Sequence, residues 1–208
     1  MSYFAAIDIG SNALRLAIAR KTESGGIHIS YKSREAVRLG ASVFATGSID
    51  ESIAEELTGA LLQFKNQLEN HNVLKYRAIA TSAMREAKNS ATIVKQLHQK
   101  TGLNVEIITG EEEAQLVSTA ISQKVDLSRG SYLLIDIGGG SIELVASIDG
   151  QIAKKQSYVL GMVRVLELHK QKKQELKAWL PSFIEKEIAT FFADLPPLTT
   201  AVGTGGNM

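Results

Sequence analysis

The residues of this chain best suited to chemistry gather at two short, glycine-containing turns. Ala6-Ile7-Asp8-Ile9-Gly10-Ser11 and Leu134-Ile135-Asp136-Ile137-Gly138-Gly139 match each other, with their aspartates 128 residues apart. In each passage an aspartate sits near the end of an apolar run, and small residues then turn the chain into a second strand. A missing Cβ lets backbone N–H groups approach and surround an anion. Gly138, Gly139, Gly140 and Ser141 can wrap a phosphate with successive amides and the Ser141 hydroxyl. Gly10, Ser11 and Asn12 can do the same from the other half. Either segment alone is satisfied as a tight hairpin, but two copies favour a shared cleft. A buried, unpaired carboxylate is costly, so Asp8 and Asp136 call for metal, water or hydrogen-bond donors. Beside phosphate-binding turns they suit Mg2+, a hard cation that takes oxygen ligands.

The elements that must position these groups follow from periodicity. Phe4–Ile9, Leu14–Arg20 and Ile27–Ser33 read as strands of one meander, turned at Gly10-Ser11-Asn12. Ile53, Leu57, Leu61, Leu62, Phe64 and Leu68 mark an amphipathic helix over Ser52–Leu68, with Ser48 or Asp50 as N-cap. A strand over Tyr76–Ala80, a helix over Ala91–Thr101 closed by Gly102, and a strand over Val105–Ile108 come next. Gly110–Gln123 is a helix opened by Glu111, Glu112 and Glu113, acids that complement the helix dipole and so have a capping role to fill. The second half then repeats the first. It has strands at Tyr132–Ile137 and Glu143–Ile148, an Asp149-Gly150 hairpin turn, and a strand at Gln151–Tyr158. Helices are expected over Met162–His169 and Gln174–Phe192, the second broken or kinked near Pro181, with a strand ending at Ala201-Val202.

Other groups are weaker signals. Thr81, Ser82 and Arg85 follow a strand end in Ala80-Thr81-Ser82-Ala83-Met84-Arg85. The hydroxyls suit an N-cap, and Arg85 is either a surface residue or a fork of donors to phosphate. The histidines at 28, 71, 98 and 169 are scattered without metal-ligand spacing and are expected to face solvent. No P-loop and no Gly-x-Gly-x-x-Gly fingerprint occurs, which argues against dinucleotide binding. A formal net charge of +1 provides no global field to attract nucleic acid or a membrane, so any polyanion must be held locally. The absence of cysteine excludes disulfides and thiolate chemistry. No signal-peptide pattern opens the chain, and no apolar run approaches the roughly 20 residues of a membrane span. A cytoplasmic location is expected.

Taken together, these segments resemble the exopolyphosphatase/guanosine pentaphosphate phosphatase (Ppx/GppA) family of the actin-like ATPase (ASKHA) superfamily. The matching passages are residues 6–12, 80–87 (Ala-Thr-Ser-Ala-Met-Arg-Glu-Ala), 107–114 (Ile-Ile-Thr-Gly-Glu-Glu-Glu-Ala) and 135–144. Leu-Gly-Met-Val-Arg (160–164) and Gly-Thr-Gly-Gly (203–206) follow in family order. The aspartate-glycine turns alone indicate the superfamily; the Thr-Ser-Ala-Met-Arg-Glu and Gly-Glu-Glu-Glu-Ala segments narrow it to the family. The resemblance implies an α/β, actin-like ATPase (ribonuclease H-like) fold of two related domains with a cleft between them. The expected domains are residues 1–124 and 125–208, the second incomplete, since such domains continue for about another hundred residues.

The family's catalytic glutamate falls on Glu113, which would position or deprotonate the attacking water. Phosphate-contacting positions fall on Ser11, Asn12, Arg85, Gly138, Gly139 and Ser141. Asp136 and Glu143 match acids near phosphate and metal, with Asp8 as a third candidate. Mg2+ or another divalent cation is the implied cofactor. The implied substrate is inorganic polyphosphate, with guanosine pentaphosphate as the sibling reading. Nucleic acid and membrane are not expected partners, and a homodimer is a possible assembly. A non-catalytic nucleotide- or phosphate-binding regulator on the same fold and an ATP-dependent sugar or acid kinase are the competing classes. Three positions depart from the family pattern: Ala13 and Ile142 replace hydroxyl residues, and Asn207 replaces a threonine. Each alters a donor near phosphate.

Overall fold

The computed structural model describes residues 2–205, without the side chains of 171–176. By packing, the chain divides into two compact units, Met1–Ile108 and Thr109–Met208.

The first unit opens with β1 (Tyr3–Ile9), β2 (Leu14–Lys21) and β3 (Ile27–Glu35). Next come α1 (Leu39–Thr46), α2 (Glu51–Asn70), β4 (Val73–Ala80), α3 (Ser82–Glu86), α4 (Ser90–Thr101) and β5 (Val105–Ile107). Its sheet runs β3-β2-β1-β4-β5, with β1 antiparallel to β2 and parallel to β4. Period-2 alternation drives one face inward, so Ile7, Ile9, Leu14, Leu16 and Ile18 are all buried. Leu57, Leu61, Phe64 and Leu68 form a stripe along α2, and Ile93 and Leu97 a shorter one on α4; both stripes join the same core. α4 ends at Gly102, whose φ of 73° places it in the left-handed region. The short helix α1 has no counterpart in the sequence reading, and α3 only its N-cap position at Thr81; at 8 and 5 residues they are too brief for a helical period to show. His71 also departs from expectation. It is half-buried at the end of α2, its Nδ1 lies 2.9 Å from the Gln67 carbonyl, and its ring packs against Tyr31.

The second unit contains α5 (Gly110–Ser122), β6 (Ser131–Ile137), β7 (Ile142–Ile148) and β8 (Gln151–Tyr158). These lead into α6 (Met162–Phe183), a π-helical segment over Ile184–Ile188, α7 (Ala189–Phe192) and β9 (Thr200–Gly205). The sheet order β8-β7-β6-β9 is the β3-β2-β1-β4 order of the first unit. The Asp149-Gly150 turn has both residues at positive φ (47° and 80°), the geometry that closes a two-residue hairpin. α6 corrects the expectation of two helices, the second broken or kinked near Pro181: it runs unbroken from Met162 through the proline. The missing Pro181 N–H withdraws a donor from the Lys177 carbonyl one turn earlier, the Ile184 N–H is shared between the Leu180 and Pro181 carbonyls, and a π-helical segment follows at Ile184–Ile188. α5 packs on β6, β7 and β8, with Ala114 and Ile121 against Leu134 and Val145. By packing it therefore sits in the second unit, rather than with residues 1–124.

Phe64 is 1% exposed at the centre of the first core. Phe64→Ala should cost about 3–5 kcal/mol in urea denaturation, and an effect under about 1 kcal/mol would show that this stripe is not the core.

Candidate active site

The two turns are closed in the same way. Gly10 N–H donates to the Ala13 carbonyl at 3.1 Å, and Gly138 N–H to the Ser141 carbonyl at 3.0 Å. The flanking registers also correspond: Asp8 lies opposite Arg15 on β2, and Asp136 lies opposite Glu143 on β7. The chemistry then diverges at this matched position. In the first unit Arg15 Nη1 pairs with Asp8 Oδ2 at 3.3 Å. Burial raises the Asp8 carboxyl above its ordinary value, while the Arg15 charge and hydrogen bond pull it back down. The Asp8 side chain keeps 40% of its surface open, so burial here means crowding by protein and not exclusion of water. In the second unit a carboxylate replaces the guanidinium, and two acids meet across the strands.

That pair belongs to a polar row crossing the whole sheet. Ser157 on β8, Glu143 on β7, Asp136 on β6 and Thr204 on β9 share one register line. Glu143 is fully buried, and Ser157 Oγ donates to its Oε1 at 2.8 Å. Side chains directly opposite in an antiparallel pair are about 5 Å apart at Cβ, and two ionised acids there repel. A cation or a shared proton relieves that repulsion. No cluster of three or more ligating side chains occurs among the described residues. Two carboxylates nevertheless fit Mg2+, which takes one or two from protein and completes its shell with water and phosphate oxygens.

Two contacts tie α5 to its sheet. At mid-helix, Lys155 Nζ donates to Gln115 Oε1 at 3.3 Å, and Lys155 is in register with Val145. Beyond its end, Tyr132 Oη, near the start of β6, donates to the Asp126 carbonyl at 3.1 Å. The helix thus runs with its end toward the start of β6. It packs on the face shared by Leu134, Val145, Asp136 and Glu143. Glu113, in the first turn of α5, is half-buried. Thr109 separates the three acids by role: it is the N-cap, and its Oγ1 accepts from the Glu112 N–H at 3.1 Å. Thr109-x-x-Glu112 is the spacing of a capping box. Glu111 is exposed, Glu112 holds the N3 position whose N–H meets the Thr109 cap, and Glu113 lies one residue further along the helix.

The remaining candidates fall as follows. Ser11 and Ser141 are buried (4% and 3% exposed) and are not equivalent: Ser11 is second in its turn and Ser141 fourth, where Ala13 stands in the first unit. Asn12 is exposed. Gly138 and Gly139 lie in the second turn beside buried Gly140. Ile142 packs with Leu144 and Tyr158 on the face away from Glu143, so its apolar side chain removes no donor from the polar row. Asn207 lies outside the described residues. Arg85 is half-buried on α3, and its Nη1 donates to the Ile108 carbonyl at 2.8 Å, tying α3 to the end of β5. Sequence reading missed Arg15, Thr109, Ser157 and Thr204. Thr109 was recoverable from the capping-box spacing, and Arg15 from aligning the two repeats; Ser157 and Thr204 needed the strand register.

Two α/β units with one strand order, each opened by a strand–aspartate–turn–strand hairpin, define the actin-like ATPase fold class. Within that class the chain belongs to the Ppx/GppA phosphatase family, whose profile matches residues 17–206. It is 27% identical over 175 residues to exopolyphosphatase 1 of Mycobacterium tuberculosis, covering 84% of this chain and 48% of that protein. A Ppx/GppA family member from Aquifex aeolicus superposes with a TM-score of 0.79 at 30% identity, over 99% of this chain and 66% of that one. An exopolyphosphatase from Cytophaga hutchinsonii gives a TM-score of 0.85 at 25% identity, over 97% and 66%. The chain thus spans about half the length of the curated relatives it matches. No helix among the described residues is long and apolar enough to cross a membrane.

The Arg85 contact changes what its removal should do. A surface arginine would be lost at under about 0.5 kcal/mol, but a charged donor on a carbonyl contributes about 1.5–3 kcal/mol. Arg85→Ala should therefore lower stability measurably in denaturant titration, and a variant as stable as the parent would return Arg85 to the surface.

Proposed function

We propose that this chain carries the chemistry of an exopolyphosphatase, releasing terminal orthophosphate from inorganic polyphosphate by attack of a water held by Glu113. The observation that supports the reading is the packing of α5, with half-buried Glu113 in its first turn, on the sheet face that bears Asp136 and Glu143. The exopolyphosphatases among its relatives support the same reaction class.

In this reading the amides of Gly139, Gly140 and Ser141 and the positive end of α5 hold phosphate oxygens. Asn12, Ser11 and Arg85 take further phosphate groups of the chain. Asp136 and Glu143 would hold Mg2+, which supplies charge neutralisation on the phosphate oxygens when bound. Glu113 orients the water toward the terminal phosphorus and accepts its proton as the P–O bond to the remaining chain breaks. The leaving group departs as the shortened polyphosphate. Phosphoryl transfer needs alignment and charge stabilisation more than covalent help, and this set of groups is sufficient for it.

Glu113→Gln keeps size and most hydrogen bonding but removes the base, so phosphate release from polyphosphate with Mg2+ should fall about 10²–10⁴-fold. Glu111→Gln and Glu112→Gln should keep turnover, losing at most about 1 kcal/mol of stability from the helix start. Equal and mild effects from all three would reduce the triplet to dipole chemistry. Asp136→Asn should weaken the Mg2+ dependence of release, and an unchanged Mg2+ titration would remove the acid pair from the cation site. Guanosine pentaphosphate assayed beside polyphosphate decides between the two substrates of the family.

A further inference from the structure

Both turns are pinned from outside their own hairpins by backbone N–H groups at the start of a helix, beside a Leu-Gly pair in each case. After β3, Leu39-Gly40 opens α1, and Gly40 N–H donates to the Ser11 carbonyl at 2.7 Å. After β8, Leu160-Gly161 opens α6. Met162 N–H donates to the Gly138 carbonyl (3.0 Å), and Val163 and Arg164 N–H both donate to that of Gly139 (2.8 and 3.2 Å). The Arg164 side chain adds Nε to the Gly140 carbonyl at 3.0 Å. Ser11 and Gly139 hold the same, second position of their turns. Neither glycine has room for a side chain. A Cβ on Gly40 would stand 3.0 Å from the Ser11 carbonyl oxygen and 2.7 Å from Phe44, and one on Gly161 would overlap the Gly139–Gly140 peptide.

The N–H groups that start a helix have no partner within it. Neither α1 nor α6 has a side-chain cap, and the turn carbonyls take that role. The consequence for the turn follows from the planar trans peptide, whose C=O and N–H point in opposite directions. With the carbonyls of Gly138, Gly139 and Gly140 drawn onto α6, the N–H groups of Gly139, Gly140 and Ser141 face away from it. Among the described residues none of those three donates to a backbone carbonyl. In the first unit the Asn12 N–H is turned out in the same sense.

We infer that the helix starts at Gly40 and at Met162–Arg164, each packed close through a glycine (Gly40, Gly161), are a duplicated positioning device. Each helix start takes the carbonyls of one turn and so holds its amides outward for phosphate. This rests on the reading that the turns bind phosphate; the positioning residues themselves touch no substrate.

The test measures the full chain by NMR with 15N-labelled glycine, and by steady-state hydrolysis of tripolyphosphate with Mg2+. Arg164→Met should shift the Gly138, Gly139 and Gly140 amide signals and raise KM about tenfold or more with kcat little changed, a loss of binding that tenfold equates to about 1.4 kcal/mol. Arg164→Lys, which restores a donor, should recover part of both. Gly161→Ala should act in the same direction where it folds. Phe191→Leu, at a buried site that makes no hydrogen bond to the turns, supplies a comparison of lowered stability that should leave KM alone. Folded Arg164→Met with parental glycine signals, or with parental KM, would overturn the inference. Should the parent chain itself neither hydrolyse nor bind tripolyphosphate, the hydrolase reading fails, and the glycine signals still decide whether the helix starts hold the turn.

Discussion

One short hydrogen bond in each unit sets the geometry on which the rest depends. The N–H of the first turn residue meets the carbonyl of the fourth, Gly10 to Ala13 and Gly138 to Ser141. This closure reverses the chain within four residues and fixes the antiparallel register from its first pair. Since a one-residue slip would turn every side chain to the opposite face, it determines which residue stands across from each aspartate. The buried alternation of β1 and β2 locks the same register from the other side, because a slip would expose Ile7, Ile9, Leu14, Leu16 and Ile18 together.

With the backbone held constant, the two units show how little sequence is needed to separate roles. Arg15 and Glu143 occupy one structural position, and exchanging a guanidinium for a carboxylate converts an internally neutralised aspartate into a paired acid site. The first unit can bury its aspartate with a partner of its own. The second has a like charge across the strands, a state that proteins maintain where cations or protons are handled. Of the three metal candidates, Asp8 is the one whose carboxylate is seen paired with a guanidinium, that of Arg15.

Most strands were legible because period-2 alternation and turn residues reinforce each other. Gln151–Tyr158 has the same bounds in sequence and structure, and α2 differs only at its ends. What was not legible has physical reasons. α1 and α3 are too short to show a period, and α6 passes through a proline that sequence rules treat as a stop. The place of α5 depends on tertiary packing of Ala114 and Ile121, which no local signal encodes. At the site, aspartates, glycines and Glu113 were visible as motif members. Ser157 and Thr204 were not, because a residue on a distant strand joins the row only once the register is known.

The duplication extends to an irregularity remote from the turns. A register shift falls between Ile18 and Ala19 beside β3, and another between Ala146 and Ser147 beside β8, matching positions of the two repeats. β3 and β8 are the outermost strands of their sheets, each with one row of peptide groups open to any passing strand. A bulge sharpens the local twist, so a straight intruding strand cannot stay in step with such a border for long. Lys32 and Arg34 on one border, and Lys154 and Lys155 on the other, add charge that a like border would repel. The three-stranded meander that presents an aspartate at its first turn thus carries, on its third strand, a border unsuited to stacking into fibrils.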